Sequence, residues 1–136
     1  MMDTPSPLPK TSDEWLEREI QANGLTAPRV MPADIEANIV AEHYFTAKEG
    51  CIGHYSDAYE LVGPALDKLG LLTFCVLVLR NGFTATGESA CASPENFDVE
   101  IGRKIARENA INKIWPLMGY ELRSKLAVIE NLKAGG

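Results

Sequence analysis

The side chains best suited to chemistry in this sequence are cations that follow a predicted turn. Arg103, Lys104 and Arg107 fall within little more than one helical turn, and Asn96 lies near the start of the same predicted helix. The guanidinium groups of arginine and the free backbone N–H groups at a helix N-terminus donate hydrogen bonds to phosphate oxygens. The alternative is a solvated face on which the cations pair with neighbouring carboxylates. Spacing alone favours this second interpretation.

Two aromatic rings lie near the same turns. Phe83 directly follows an Asn-Gly pair, and Phe97 lies just ahead of the cations. A ring on which a nucleotide base stacks contributes roughly 1–3 kcal/mol per base. The alternative is that both rings fill the core. That alternative is stronger for Phe97, which has a helical core position, whereas Phe83 beside a turn is more open.

The histidines and cysteines do not form a metal-binding pattern. A zinc site usually shows at least one closely spaced pair such as CxxC or HxxxH, and the sequence has none. We therefore expect no metal and no cofactor. The residues concerned are His43, Cys51, His54, Cys75 and Cys91.

The sequence also lacks a recognisable catalytic motif. Ser89 and Cys91 lie close to Glu88, but GESAC lacks the second glycine of a nucleophile elbow. Neither a Walker-type phosphate loop nor G-x-G-x-x-G occurs. We therefore expect a protein that binds and does not catalyse.

Composition bounds the remaining classes. The 136 residues, 46% of them apolar, suffice for one compact core. The net charge is −6, yet residues 103–136 hold seven Lys or Arg and three Glu, a charge of +4, so the other residues carry −10. A mostly acidic surface disfavours nucleic acid as a partner. No leader pattern is evident, and no apolar run approaches the ~18 residues of a membrane span. We expect a cytoplasmic protein.

The predicted elements place the cations behind a small sheet. We expect an α+β fold in which residues 1–30 are an N-terminal arm with a short helix and residues 31–136 form one domain. A helix is predicted over about Ala33–Ala47. Strands are predicted over 71–79 and 83–92, joined by the Asn-Gly turn, with Gly87 marking a bulge or a close backbone approach.

Two C-terminal helices complete the prediction. Ser93 or Asn96 is expected to cap the first, Pro116 to end or kink it, and residues 120–132 to form the second. The residues expected to face inward from the first of these helices are Phe97, Ile101, Ile105, Ala106, Ile111 and Ile114.

The predicted sheet favours an oligomer. A two-stranded hairpin alone is only marginally stable, and the apolar first strand needs to be covered by another layer, so we expect a homodimer or a larger homo-oligomer.

The run from NGF through SAC, SPENFD and KIWPL, with IEANIVAEHYFTA before it, resembles the gene-product-forty-nine-like family of small phage and prophage proteins. The resemblance spans about residues 31–127. The chain is also similar to the first class of anti-Thoeris sponges, which are phage proteins that capture a cyclic ADP-ribose isomer and so block host defence. Such sponges have a small antiparallel sheet followed by two helices, and their ligand pockets lie between subunits.

This resemblance implies a site. Phe83 would stack on adenine, Asn96 would supply an amide, and Arg107 with Arg103 or Arg123 would hold the pyrophosphate. Asn109 stands where the resemblance implies a further basic residue. The implied function is sequestration of a cyclic nucleotide signal in the host bacterial cytoplasm. The alternative is a phage accessory protein that binds a host protein and no small ligand.

Overall fold

The fold is α+β, as the sequence predicts. We describe a computed structural model over residues 12–24, 27–55 and 63–135. Residues 1–11, 25 and 26 of the predicted arm lie outside this description. The elements in chain order are α1 (Ser12–Ala22), α2 (Pro32–Asn38), β1 (Ile39–Thr46), α3 (Ala47–His54), α4 (Pro64–Leu69), β2 (Leu72–Leu79), β3 (Thr84–Ala90), a 3-10 turn (Pro94–Asn96) and α5 (Val99–Gly135).

The sheet has three antiparallel strands in the order β1-β2-β3. Strands β2 and β3 are the predicted hairpin, with Val76 opposite Thr86. The prediction of one helix from residue 33 to residue 47 was wrong beyond Asn38, because the chain turns there into β1, which pairs with β2. Residues 39–46 (IVAEHYFT) are rich in β-branched and aromatic types, and these favour a strand when a partner strand is available.

Helix α5 packs on the sheet through its smallest residues. Gly102, Ala106 and Ala110 are buried, and each follows the previous one at a spacing of four. A Cβ on Gly87 of β3 would overlap the Ala106 carbonyl oxygen and the Ala110 backbone nitrogen. The predicted close backbone approach at Gly87 is therefore confirmed.

That close packing changes which side chains face inward. Ile101 and Ile105 were predicted to be buried but are 57% and 44% exposed. The sheet approaches the helix too closely on the Gly-Ala side for their longer side chains to fit there. Ala106 and Ile114 are buried as predicted, and each is 0% exposed.

The two predicted C-terminal helices are one continuous helix of 37 residues. Pro116 lies inside α5 and lacks the N–H that would bond to the carbonyl of Asn112. Both residues are on the exposed side of the helix, where water can satisfy the freed carbonyl. Trp115 and Met118 pack against the core on either side of the proline, which holds the helix together there.

Candidate functional site

Phe83 and Asn96 lie at opposite ends of β3. Phe83 follows the turn at Gly82, whose φ is 88°, and its ring is 57% exposed. Asn96 is exposed in the 3-10 turn beyond the other end of the strand. The seven residues of β3 span about 23 Å at 3.3 Å per residue. One copy of the chain does not bring the predicted ring and the predicted amide together.

Neither predicted residue caps α5. The cap is Asp98, whose Oδ1 accepts a hydrogen bond from the backbone N–H of Ile101 at 3.0 Å. An aspartate side chain here both satisfies a free N–H group and places negative charge where the helix dipole favours it. The N-terminus of α5 therefore already carries an anionic partner from its own chain.

Arg107 is held by two carboxylates from other elements. Its Nη1 and Nη2 donate to the two oxygens of Glu36 on α2 at 2.9 and 2.7 Å, and its Nε donates to Glu42 on β1 at 2.7 Å. Hydrogen bonding to Glu36 raises the pKa of Arg107, and the same contact lowers the pKa of Glu36. The bidentate geometry ties α5 to α2 and β1. A phosphate would have to displace a carboxylate to reach this guanidinium.

Arg103 has a different environment one turn earlier. Its guanidinium carbon lies 5.7 Å from the centroid of the Tyr44 ring on β1. Within the described part of the chain, neither Arg103 nor the adjacent Lys104 pairs with a carboxylate. Burial raises the pKa of Tyr44 to about 12, so this ring stays neutral at physiological pH. A cation over an aromatic face, with a second cation beside it, is the grouping in this region best suited to an anionic aromatic ligand.

Tyr44 is a residue that the sequence interpretation missed. The predicted helix over residues 33–47 gave it no relation to the cations of α5. The alternation of residues 39–46 as a strand was the signal that would have found it, since β1 is the edge of the sheet on the side of Arg103 and Arg107.

Arg123 and Asn109 lie apart from this grouping. Arg123 is 16 positions beyond Arg107, or about 24 Å along the helix axis, and bonds to Glu130 at 2.8 Å. Asn109 donates through Nδ2 to the carbonyl oxygen of Glu88 at 2.8 Å. It thereby satisfies a carbonyl of the edge strand β3, a structural role for the position where a basic residue was expected.

A cavity of about 520 Å³ lies between α1, α2 and α5. Ile35, Ile111 and Trp115 form its apolar wall, and the indole Nε1 donates to Asp13 of α1 at 3.0 Å. Its charged lining consists of four carboxylates and two cations, a net charge of −2, which disfavours an anionic ligand. These groups are Asp13, Glu14, Glu36, Glu108, Lys104 and Arg107.

The other residues considered for chemistry remain separate. In the described residues, no three His, Cys, Asp or Glu side chains are grouped so that they would hold a metal ion. Cys75 of the central strand β2 is fully buried, and burial raises the pKa of its thiol. The Cys91 thiol donates to the backbone carbonyl of Ser93 at 3.1 Å. Across residues 12–24, 27–55 and 63–135 no helix has the length and apolarity needed to span a bilayer.

Comparison with known proteins identifies the chain as a phage protein. A family model described as "Phage protein (N4 Gp49/phage Sf6 gene 66) family" matches residues 30–126. The chain therefore belongs to this family, in agreement with the resemblance of its motifs. The matched region runs from the start of α2 into the second half of α5 and so contains the sheet and the Arg103–Tyr44 pair. Neither the curated proteins nor the solved structures contain a match to the chain.

Proposed function

We propose that this phage protein sequesters a cyclic nucleotide signal, of the cyclic ADP-ribose isomer kind, and so blocks a host defence response. It acts by affinity alone, without turnover. At micromolar signal, a dissociation constant near nanomolar, about −12 kcal/mol, keeps the free ligand negligible. A binder of this kind needs no acid, base or metal.

The Arg103–Tyr44 pair carries the proposal. Its guanidinium is free of carboxylates in the described residues, and Lys104 adds a second such cation. In this proposal these two cations meet the pyrophosphate, whereas Arg107 supports the site from within its own ion pairs. This changes the assignment that the resemblance implies, in which Arg107 is the principal ligand.

In the proposed site, the Phe83 ring and the Asn96 amide come from two different copies of the chain. Within one copy they lie at opposite ends of β3, so a pocket containing the ring, the amide and the cations needs two copies. The proposal therefore includes a homodimer or a larger homo-oligomer in the host bacterial cytoplasm. Lys104 also lines the acidic cavity beside α1, so the proposed nucleotide site borders that cavity.

The test is ligand release from purified protein. The protein is incubated with a small-molecule extract of cells in which the defence signal is being made, washed and heat-denatured, and the supernatant is analysed by mass spectrometry. We expect a cyclic ADP-ribose isomer to be released. Arg103→Ala should lower the amount retained at least tenfold, because the pyrophosphate loses a charge-assisted bond.

Lys113→Ala is the matched control, since it removes a cation from the same helix on a different face. Retention by this variant should equal that of the unsubstituted chain. Release of no nucleotide, or equal loss in the Arg103→Ala and Lys113→Ala variants, would contradict the proposal.

Two neighbouring exposed apolar side chains favour a second candidate function. Ile101 and Ile105 of α5, four positions apart on one face, are 57% and 44% exposed. A phage accessory protein that binds a host protein would use such a pair, and it would bind no small ligand. Ile101→Lys would then abolish co-purification of a host protein, while Arg103→Ala would leave it unchanged.

A further inference from the structure

Helix α5 carries an apolar stripe that continues beyond the body of the protein. Its members follow one another at spacings of 4, 3, 4, 4 and 3. At about 100° per residue they fall within an arc of about 80° on one side of the helix. They are Ile111, Trp115, Met118, Leu122, Leu126 and Ile129.

The first half of this stripe packs against the core, whereas in the second half Leu122 and Leu126 are half-buried and Ile129 is exposed. Ile111, Trp115 and Met118 pack against the buried cluster, and Met118 is the last residue of α5 to do so. The 17 residues after it extend for about 25 Å. In the described residues, the side-chain hydrogen bonds of this segment stay within α5 itself, as in the Glu121–Lys125 pair.

A projecting helix of this kind needs a partner. Isolated helices of this length are marginal in water, since helical stability in proteins comes mainly from packing of an apolar face. Ile129 on the stripe is 47% exposed, and Leu132 beside it is 72% exposed. The alternating spacing of three and four is the one by which helices pack side by side.

We propose that this segment pairs antiparallel with the same segment of a second copy, so that α5 forms the dimer interface. The charged residues of this segment favour a second copy of the chain as its partner. In a pairing centred between Leu126 and Ala127, Arg123 of one copy lies level with Glu130 of the other, and the two-fold axis repeats this pair. Both residues flank the stripe on the same side, as their own 2.8 Å bond shows.

The same register interleaves the apolar side chains. Ile129 of one copy falls between Leu122 and Leu126 of the other, which fills the spaces along the stripe. The C-terminal end of each helix then reaches towards Met118 of its partner. The pairing thus extends the core of each copy into the other, and it depends on no bound nucleotide.

The test is the mass of the full chain in sedimentation velocity at micromolar concentration. We expect twice 14.9 kDa for the unsubstituted chain. Leu126→Glu should raise the dimer dissociation constant at least a hundredfold and give a monomer, because a charge is buried at the centre of the pairing. Val128→Glu is the matched control on another face of the same turn and should remain dimeric.

Arg123→Glu supplies a second test if Leu126→Glu does not fold, as judged by circular dichroism. This variant should weaken the dimer, and adding Glu130→Arg should restore it, since the exchanged charges again lie level. A monomeric unsubstituted chain would overturn the proposal. So would a folded Leu126→Glu variant that stays dimeric, or an exchange variant that fails to restore the mass.

Discussion

Gly87 fixes how closely the helix and the sheet approach each other. The position of its missing Cβ is occupied by backbone atoms of Ala106 and Ala110. Backbone atoms of a packed helix have little freedom to move, so the site tolerates no side chain. The small faces of Gly102 and Ala106 serve the same purpose from the helix side.

Gly87→Ala should therefore destabilise the fold. Overpacking costs typically about 1–3 kcal/mol, and we expect the upper end because the overlap is with backbone. Urea unfolding measures the change in the free energy of unfolding. The matched control is Gly53→Ala in α3, where an added Cβ meets nothing within 4 Å. A loss at Gly87 no larger than that at Gly53 would contradict the close approach.

Single residues also show how far sequence reasoning carries. The close approach at Gly87 was predictable, because an isolated glycine in a strand usually has such a reason. The carboxylate partners of Arg107 were not, since Glu36 and Glu42 lie 71 and 65 positions away and meet it only through the fold. Tyr44 was missed because β1, the strand that carries it, had been predicted as part of a helix.

Among the elements, α5 departs furthest from a simple sequence rule. A proline inside a helical pattern predicts an end or a kink, yet α5 continues through Pro116. Packing on both sides of the proline outweighs one lost hydrogen bond. Proline at this position should still reduce stability, because it lacks an N–H and crowds the preceding turn.

Pro116→Ala should stabilise the protein. Proline is about 3 kcal/mol less favourable than alanine in a helix interior, and we expect a gain of roughly 1–3 kcal/mol in the free energy of unfolding. Thermal and urea unfolding both measure it. Pro32→Ala at the first turn of α2 is the control, where proline is well tolerated and the change should be small. Equal changes in the free energy of unfolding for the two variants would contradict the expected destabilisation by Pro116.

Strand β1 shows where a local pattern was insufficient. The helix predicted over residues 33–47 overlaps α2, which begins at Pro32, and then covers residues that pair with β2. The end of β1 is marked by the local sequence, because the Thr46 side chain accepts a hydrogen bond from the backbone N–H of Glu49 at 3.2 Å and so caps α3. The hairpin was predictable because its turn and both strands are contiguous, whereas β1 joins the sheet from about 30 residues away.

At the scale of the whole molecule, charge is divided between surfaces. The cavity beside α1 and α2 carries a net charge of −2 even with Lys104 in its lining, while Arg103 lies over Tyr44 of β1 and pairs with no carboxylate in the described residues. This distribution of charge favours an anion on the side of α5 that meets β1. The separation of Phe83 from Asn96 makes a second copy part of the proposed nucleotide site.

The central claim is reversible capture of a cyclic nucleotide without chemical change. Calorimetric titration of the full chain with a purified cyclic ADP-ribose isomer, followed by recovery of the nucleotide for mass spectrometry, tests it most directly. We predict a dissociation constant near nanomolar and a recovered ligand of unchanged mass. Absence of heat at micromolar protein, or recovery of an opened or hydrolysed product, would contradict the account.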